Sequence, residues 1–247
     1  MKHIRVAILL AACTYGVLVA QTDTTRVENL NTDEARNFSL VFTRGLIITD
    51  ARQDTVPLNG TGSGTYVVGA GFKFPLVKNT LGLRVAPSLA ITQYTYEQTA
   101  AKTYPTIADS LPYTLALERQ GAVFGELPVG VYLNFNKDED GDPRFFLEAG
   151  GYVGLLVAAN YKTRYTNAEG LREKNKVRDL QKIESEWQRL RYGLYARVGY
   201  KWASLYVSYR LSEVFDEFTN EAYRPRPGEG FRNPQLPPIE VGISLFL

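Results

Sequence analysis

The feature that most constrains this chain is a period of two. From Asn37 onward apolar side chains fall on alternate positions in segment after segment, as in strands whose two faces meet unlike surroundings. In residues 65–75, Tyr66, Val68, Ala70, Phe72 and Phe74 share one face against Thr65, Gly69, Gly71 and Lys73. Residues 81–93 set Leu81, Leu83, Val85, Pro87, Leu89 and Ile91 against Gly82, Arg84, Ala86, Ser88 and Thr92. Residues 123–135 set Val123, Leu127, Val129, Val131, Leu133 and Phe135 against Glu126, Gly130, Tyr132 and Asn134. In 144–161 the apolar face runs from Phe145 to Tyr161, opposed by Glu148, Gly150, Tyr152, Gly154 and Asn160. The same division recurs in 189–201, with Arg191, Gly193, Arg197 and Gly199 opposite the apolar set, in 205–211 with Arg210, and in 239–247 with Glu240.

One more strand, 37–49, completes a set of eight and is irregular: Arg44 shares a face with Phe38, Leu40, Phe42, Leu46 and Ile48. An Arg on lipid at mid-depth costs ~2–4 kcal/mol, so a bulge at Thr43-Arg44-Gly45 that flips the register is expected.

A soluble barrel also alternates, with its apolar face inward. Here the apolar face is large and continuous, while the other carries Gly, Ser and charges of both signs. Lys73, Arg84, Arg191, Arg197 and Arg210 fall with Glu126, Glu148 and Glu240, which predicts an ion-paired, filled lumen. Connections alternate too. Those at 51–64, 98–116, 163–186 and 213–236 are long, and those at 75–80, 136–143 and 202–204 are short, the pattern of outer loops and periplasmic turns. The sequence stops on the last strand at Leu245-Phe246-Leu247, as a terminal assembly signal would require. Together these features predict an all-β fold, an eight-stranded antiparallel transmembrane β-barrel over residues 37–247, in the cell outer membrane. Aromatics near strand ends (Tyr66, Phe74, Phe135, Phe145, Tyr161, Tyr200 and Trp202) are expected to form interfacial girdles.

The N-terminus reads as an export signal. Lys2, His3 and Arg5 precede an apolar stretch that ends at Ala20, followed by polar Gln21-Thr22-Asp23, so residues 1–20 are assigned to a signal peptide and the polar residues 21–36 to a flexible periplasmic leader. The stretch is shorter than the ~20 apolar residues of a membrane helix. Leu10-Ala11-Ala12-Cys13 also fits a lipobox, but the apolar run before Cys13 is very short and resumes after it, which favours the ordinary signal. Loss of 1–20 removes the sole His and the sole Cys. What remains cannot build a Ser-His or Cys-His nucleophile or a His-containing zinc site. A net charge of +2 points to no nucleic-acid partner.

By the middle of the chain a family pattern emerges. Glu126-Leu127-Pro128, Phe146-Leu147-Glu148-Ala149-Gly150-Gly151-Tyr152, Tyr192-Gly193 with Gly199-Tyr200, and Tyr209-Arg210, in that order and spacing, resemble the PorT-like outer-membrane β-barrel family of the Bacteroidota. Arg191 stands where that family tends to have Asp, and Leu211-Ser212 replaces an expected Gly. The resemblance implies location more than activity, since the family joins proteins of type IX secretion and gliding to many without an assigned role.

Candidate chemistry is sparse. Asp138, Asp140, Gly141 and Asp142 resemble the start of a calcium loop, but Pro143 and Ala149 occupy positions that need Gly and Glu, so a polar hairpin turn is preferred and no metal or cofactor is expected. The inward Glu and Arg set is read as structural, not catalytic. Residues 171–190 place Val177, Leu180, Ile183, Trp187 and Leu190 at helical spacing, which predicts a short amphipathic helix that docks a partner or caps the barrel. The Pro-rich stretch 224–238 is read as a surface loop, inert or shaping a binding surface. Three functions follow in order of preference: a non-enzymatic anchor, scaffold or accessory subunit of an envelope complex; a narrow channel for ions or small solutes; a lipid-modifying enzyme. The expected partners are outer-membrane lipid and envelope proteins met through the outer loops.

Overall fold

The alternation folds into ten strands among the described residues: β1 (Phe38–Ile47), β2 (Gly64–Val77), β3 (Leu81–Val85), β4 (Ser88–Tyr96), β5 (Thr114–Lys137), β6 (Pro143–Thr166), β7 (Arg172–Val177), β8 (Leu190–Tyr200), β9 (Ala203–Arg210) and β10 (Ile239–Phe246). The computed structural model describes residues 37–48, 57–77, 80–99, 114–137, 143–166, 170–177, 187–215 and 236–247. The expected signal peptide, the leader and the acid-rich turn 138–142 lie outside them.

Each strand pairs antiparallel with its neighbour and β1 closes on β10, so the sheet has no free edge along its trunk. β3 and β4 share one place in the ring and β7 lies outside it, which leaves eight positions, as the alternation predicts. The expected single strand 81–93 is split at Ala86-Pro87. Pro87 has no N–H to donate, and the backbone there is held instead by Ala70 N to Pro87 O and Ala86 N to Pro128 O. The barrel is the compact unit Ser39–Leu247.

The faces divide as the period demands. Outward residues such as Leu40, Val68, Leu89, Val131, Leu147, Leu194 and Val241 are exposed, while the inner surface buries Arg84, Glu126, Glu148, Arg191, Arg197 and Glu240. A water-soluble barrel would invert this arrangement, because exposed apolar area on this scale is stable only against lipid. At the short-turn end, Phe135 lies opposite Phe145 and Phe145 opposite Tyr200, with Trp202 in the next turn. At the loop end Tyr66, Tyr192 and Tyr209 are exposed. Tyr161 is an exception. β6 carries an extra residue where Val123 pairs Ala158 but Phe124 pairs Leu156. That bulge exchanges the two faces, and the Tyr161 side chain turns inward to hydrogen-bond Glu118.

The bulge expected in β1 is absent. The β1–β10 register runs unbroken from Val41–Phe246 to Ile47–Glu240, so Arg44 keeps its outward place between Phe42 and Leu46. It is accommodated by its own reach. The guanidinium lies 4.0 Å from the centre of the Tyr66 ring, and Nη1 donates to Gly45 O at 3.0 Å. Gly64 opens the space: it has φ 153°, and a Cβ there would strike Gly45 O and come within 2.6 Å of Arg44 Nη1.

The loops expected at 98–116 and 163–186 are partly strand. β5 and β6 run 24 residues each, far more than the ~9–11 that cross a bilayer, and their loop-side ends project with β7 as a three-stranded extension. The helix expected over 171–190 does not form at either end: Arg172–Val177 is β7, and Trp187 bridges Phe215, with 178–186 outside the described residues. The cross-strand partner supplied by β6 overrides a helical spacing that only a lone helix could have used.

Candidate functional site

The inward charges sort into two nodes along the barrel. In the turn-side node, Glu148 on β6 lies between two cations. Arg84 Nη1 donates to its Oε2 at 2.6 Å, while Arg197 Nη1 and the Tyr195 hydroxyl donate to Oε1 at 3.0 and 2.8 Å. The register favours this meeting, since Glu148 and Arg197 are direct partners across β6–β8 and Arg84 reaches from β3 over Gly130 of the intervening β5. Aromatic rings flank the guanidinium groups: Arg84 lies 4.5 Å from the Phe246 ring centre, and Arg197 lies 4.8 Å from Tyr195 and 5.2 Å from Tyr206. Gly130 provides room, because a Cβ there would collide with the Tyr195 hydroxyl. Lys73 sits opposite Arg84 on the β2–β3 ladder, half-buried at the border of this node.

The second node inverts the stoichiometry. Arg191 on β8 lies between two anions, with Nε 3.4 Å from Glu126 Oε1 and Nη2 3.4 Å from Glu240 Oε1. Its shortest bond is to a neutral group, Nη1 to Thr92 Oγ1 at 2.5 Å. Thr65 Oγ1 donates to Glu240 Oε1 at 2.7 Å and stands 3.1 Å from Thr92 Oγ1. One cation over two anions therefore follows two cations over one anion. Each node leaves an excess of the sign that the other lacks, and Arg84 Nε, Arg191 Nε, Arg197 Nε and Glu126 Oε1 are buried without a hydrogen bond, so the nodes are held by ion pairing more than by full hydrogen-bond satisfaction.

Arg210 belongs to neither node. It donates from Nη1 to the Tyr94 hydroxyl at 2.6 Å and from Nη2 to Leu236 O and Pro237 O at 2.9 and 3.2 Å. This ties the end of the Pro-rich stretch into the barrel mouth. Leu236 and Pro237 are buried, so this part of the stretch is no free surface loop, while 224–235 lie outside the described residues. Above it, Trp187, 1% exposed, packs on Tyr94, Phe124 and Phe215 and closes the outer mouth. A cavity of about 10 Å³ remains, lined by Thr92, Tyr94, Phe124, Trp187, Arg191 and Arg210 among others; it has room for roughly one water. A third polar cluster, Glu118, Gln120, Tyr96 and Tyr161, stands higher, where the Tyr96 hydroxyl donates to Gln120 Oε1 at 2.5 Å.

Parity alone could have found Tyr195 and Tyr206, which alternate inward with Arg197 and Ser208. Glu118 has no such signal, because its stretch lacks an apolar period, whereas Trp187 stands out in the helical spacing of 171–190 and takes its place in the barrel without that helix. Among the described residues no group of three or more His, Cys, Asp or Glu is placed to hold a metal ion.

A closed eight-position ring, apolar outside and ion-paired inside, with long connections at one end only, defines an integral β-barrel of the outer-membrane type. The chain belongs to the outer membrane protein beta-barrel domain family, whose model matches residues 19–216, and its location is the outer membrane. No curated protein matches the chain. Among solved structures it is similar to Ail, the attachment invasion locus protein of Yersinia pestis, solved with the heparin analogue sucrose octasulfate. That match has 12% identity over 85% of this chain and 91% of that one, with a TM-score of 0.28. At that distance nothing about binding transfers.

Proposed function

We propose that this protein is a non-enzymatic outer-membrane barrel of the PorT-like kind found in the Bacteroidota, serving as an anchor, scaffold or accessory subunit of a cell-envelope complex. The observation that carries this reading is the crowded lumen: among the described residues, two buried charge nodes and the Trp187 layer occupy the barrel interior, and the pocket between Trp187 and Arg191 has room for about one water, which disfavours a solute path. After residue 20 the chain holds neither His nor Cys, which argues against a Ser-His or Cys-His nucleophile and against a His-containing zinc site. Several residues of the PorT-like pattern have structural duties here. Glu126, Glu148 and Arg210 anchor the interior, and Gly193 accommodates the Tyr152 ring.

The test is cross-linking and gentle extraction from native membranes, with planar-bilayer recording of the purified chain. Envelope proteins that co-purify, together with an electrically silent barrel, are the expected result. A barrel recovered alone would remove the scaffold role. Stable unitary currents altered by Arg197→Ala or Glu148→Ala would replace it with a channel. Residues 1–20 are proposed as the signal peptide, with Gln21 expected at the mature N-terminus by mass spectrometry.

A further inference from the structure

The apolar cap over the outer mouth meets the Arg191 node at one small cavity of about 10 Å³, lined from the cap by Trp187 and Val214 and from the barrel by Thr92, Tyr94, Arg191 and Arg210. Its walls hold hydrogen-bonding capacity that the described residues do not use. The indole N–H of Trp187 is buried without a hydrogen bond, and Trp187 is otherwise held by the rings of Tyr94, Phe124 and Phe215. The Tyr94 hydroxyl accepts from Arg210 Nη1 at 2.6 Å, so its own proton remains to be donated.

The hydroxyl chain below supplies an acceptor for these two donors. Thr65 Oγ1 donates to Glu240 Oε1 at 2.7 Å, which commits its single proton. Thr92 Oγ1, 3.1 Å away, is therefore the donor in the Thr65–Thr92 pair. Thr92 Oγ1 also accepts from Arg191 Nη1 at 2.5 Å, and a hydroxyl oxygen has two lone pairs, so one is left over. Two donors and an acceptor around a space for one molecule match a water, which both accepts and donates twice. An anion matches poorly. It would meet the Thr92 lone pair, Arg191 is already shared by Glu126 and Glu240, and Glu213 lines the same cavity.

We propose that this cavity binds a single ordered water, which accepts from Trp187 Nε1 and the Tyr94 hydroxyl, donates to Thr92 Oγ1, and so latches the mouth cap to the Arg191 node. The chain has two tryptophans, and Trp202 is exposed in the turn after β8, so Trp202→Phe leaves Trp187 as the sole indole. Ultraviolet resonance Raman spectra of that chain, folded in detergent, carry a band that reports hydrogen bonding at the indole N–H. The bonded position is expected, unchanged when chloride is exchanged for bromide. Val214→Ile adds a methylene to the cavity wall and is expected to expel the water and shift the band to its unbonded position. Val214→Ala enlarges the space and is expected to leave the band bonded. Heat-modifiable migration reports whether each variant folds. If Val214→Ile does not, a crystal structure of the unaltered chain decides, by density for one oxygen within ~3.2 Å of Trp187 Nε1. An unbonded band in the Trp202→Phe chain, a bonded band in folded Val214→Ile, or no such density overturns the proposal. A band that moves with the halide assigns the cavity to an anion and overturns it as well. The scaffold role stands under each of these outcomes.

Discussion

Removing Glu148 tests the lumen most directly. Its two oxygens hold Arg84 at 2.6 Å, Arg197 at 3.0 Å and the Tyr195 hydroxyl, and its side chain is fully buried. Glu148→Gln leaves two guanidinium groups facing each other across a neutral amide in a buried site where bulk solvent screens them little. Breaking a buried pair by deleting one partner costs ~3–5 kcal/mol, and here a single deletion strands two cations, so the upper end of that range is expected. Arg84→Met is milder. Glu148 then keeps Arg197 and Tyr195, and the loss is that of one charged hydrogen bond, ~1.5–3 kcal/mol. The triple variant R84M/E148L/R197M removes every charge of the node and is expected to recover most of the lost stability, because a well-packed apolar layer often equals a buried ion pair. Urea unfolding in lipid vesicles, followed by heat-modifiable migration, orders the three. If Glu148→Gln costs no more than Arg84→Met, the carboxylate is not the shared counter-ion and the two-node description fails.

Three further perturbations separate other parts of the structure. Arg44→Leu should change stability by less than ~1 kcal/mol, because the guanidinium sits near the interface, whereas Phe42→Arg, two residues deeper on the same face, should cost ~2–4 kcal/mol in vesicles. Gly64→Ala should cost ~1–3 kcal/mol by urea unfolding, from its positive φ and the contact with Gly45 O. Trp187→Ala should cost ~3–5 kcal/mol as a large cavity opens on Tyr94 and Phe124, yet planar-bilayer recordings should stay silent because the Arg191 node still blocks the lumen.

The order of side chains by itself determined the wall of this protein. A period of two, held through every trunk strand, assigns Leu147 to lipid and Glu148 to the lumen before any strand is paired, because successive side chains on a strand must point to opposite faces. Loop lengths then set the number of strands in the ring and which ends carry the long connections. Parity cannot say which inward charges meet. Arg84 on β3 and Glu148 on β6 lie on strands that are not neighbours and touch across the intervening β5, where Gly130 stands opposite Arg84 and offers no side chain to block the reach. The pairing of β9 with β10 likewise took Arg210 away from the carboxylates and gave it the backbone carbonyls of Leu236 and Pro237. Local irregularities were also hidden: a bulge near Val157 turns Tyr161 inward, and the expected bulge at Arg44 does not form because Tyr66 and Gly64 on the adjacent strand accommodate the guanidinium. Those outcomes depend on neighbours distant in sequence, so only the tertiary structure could decide them.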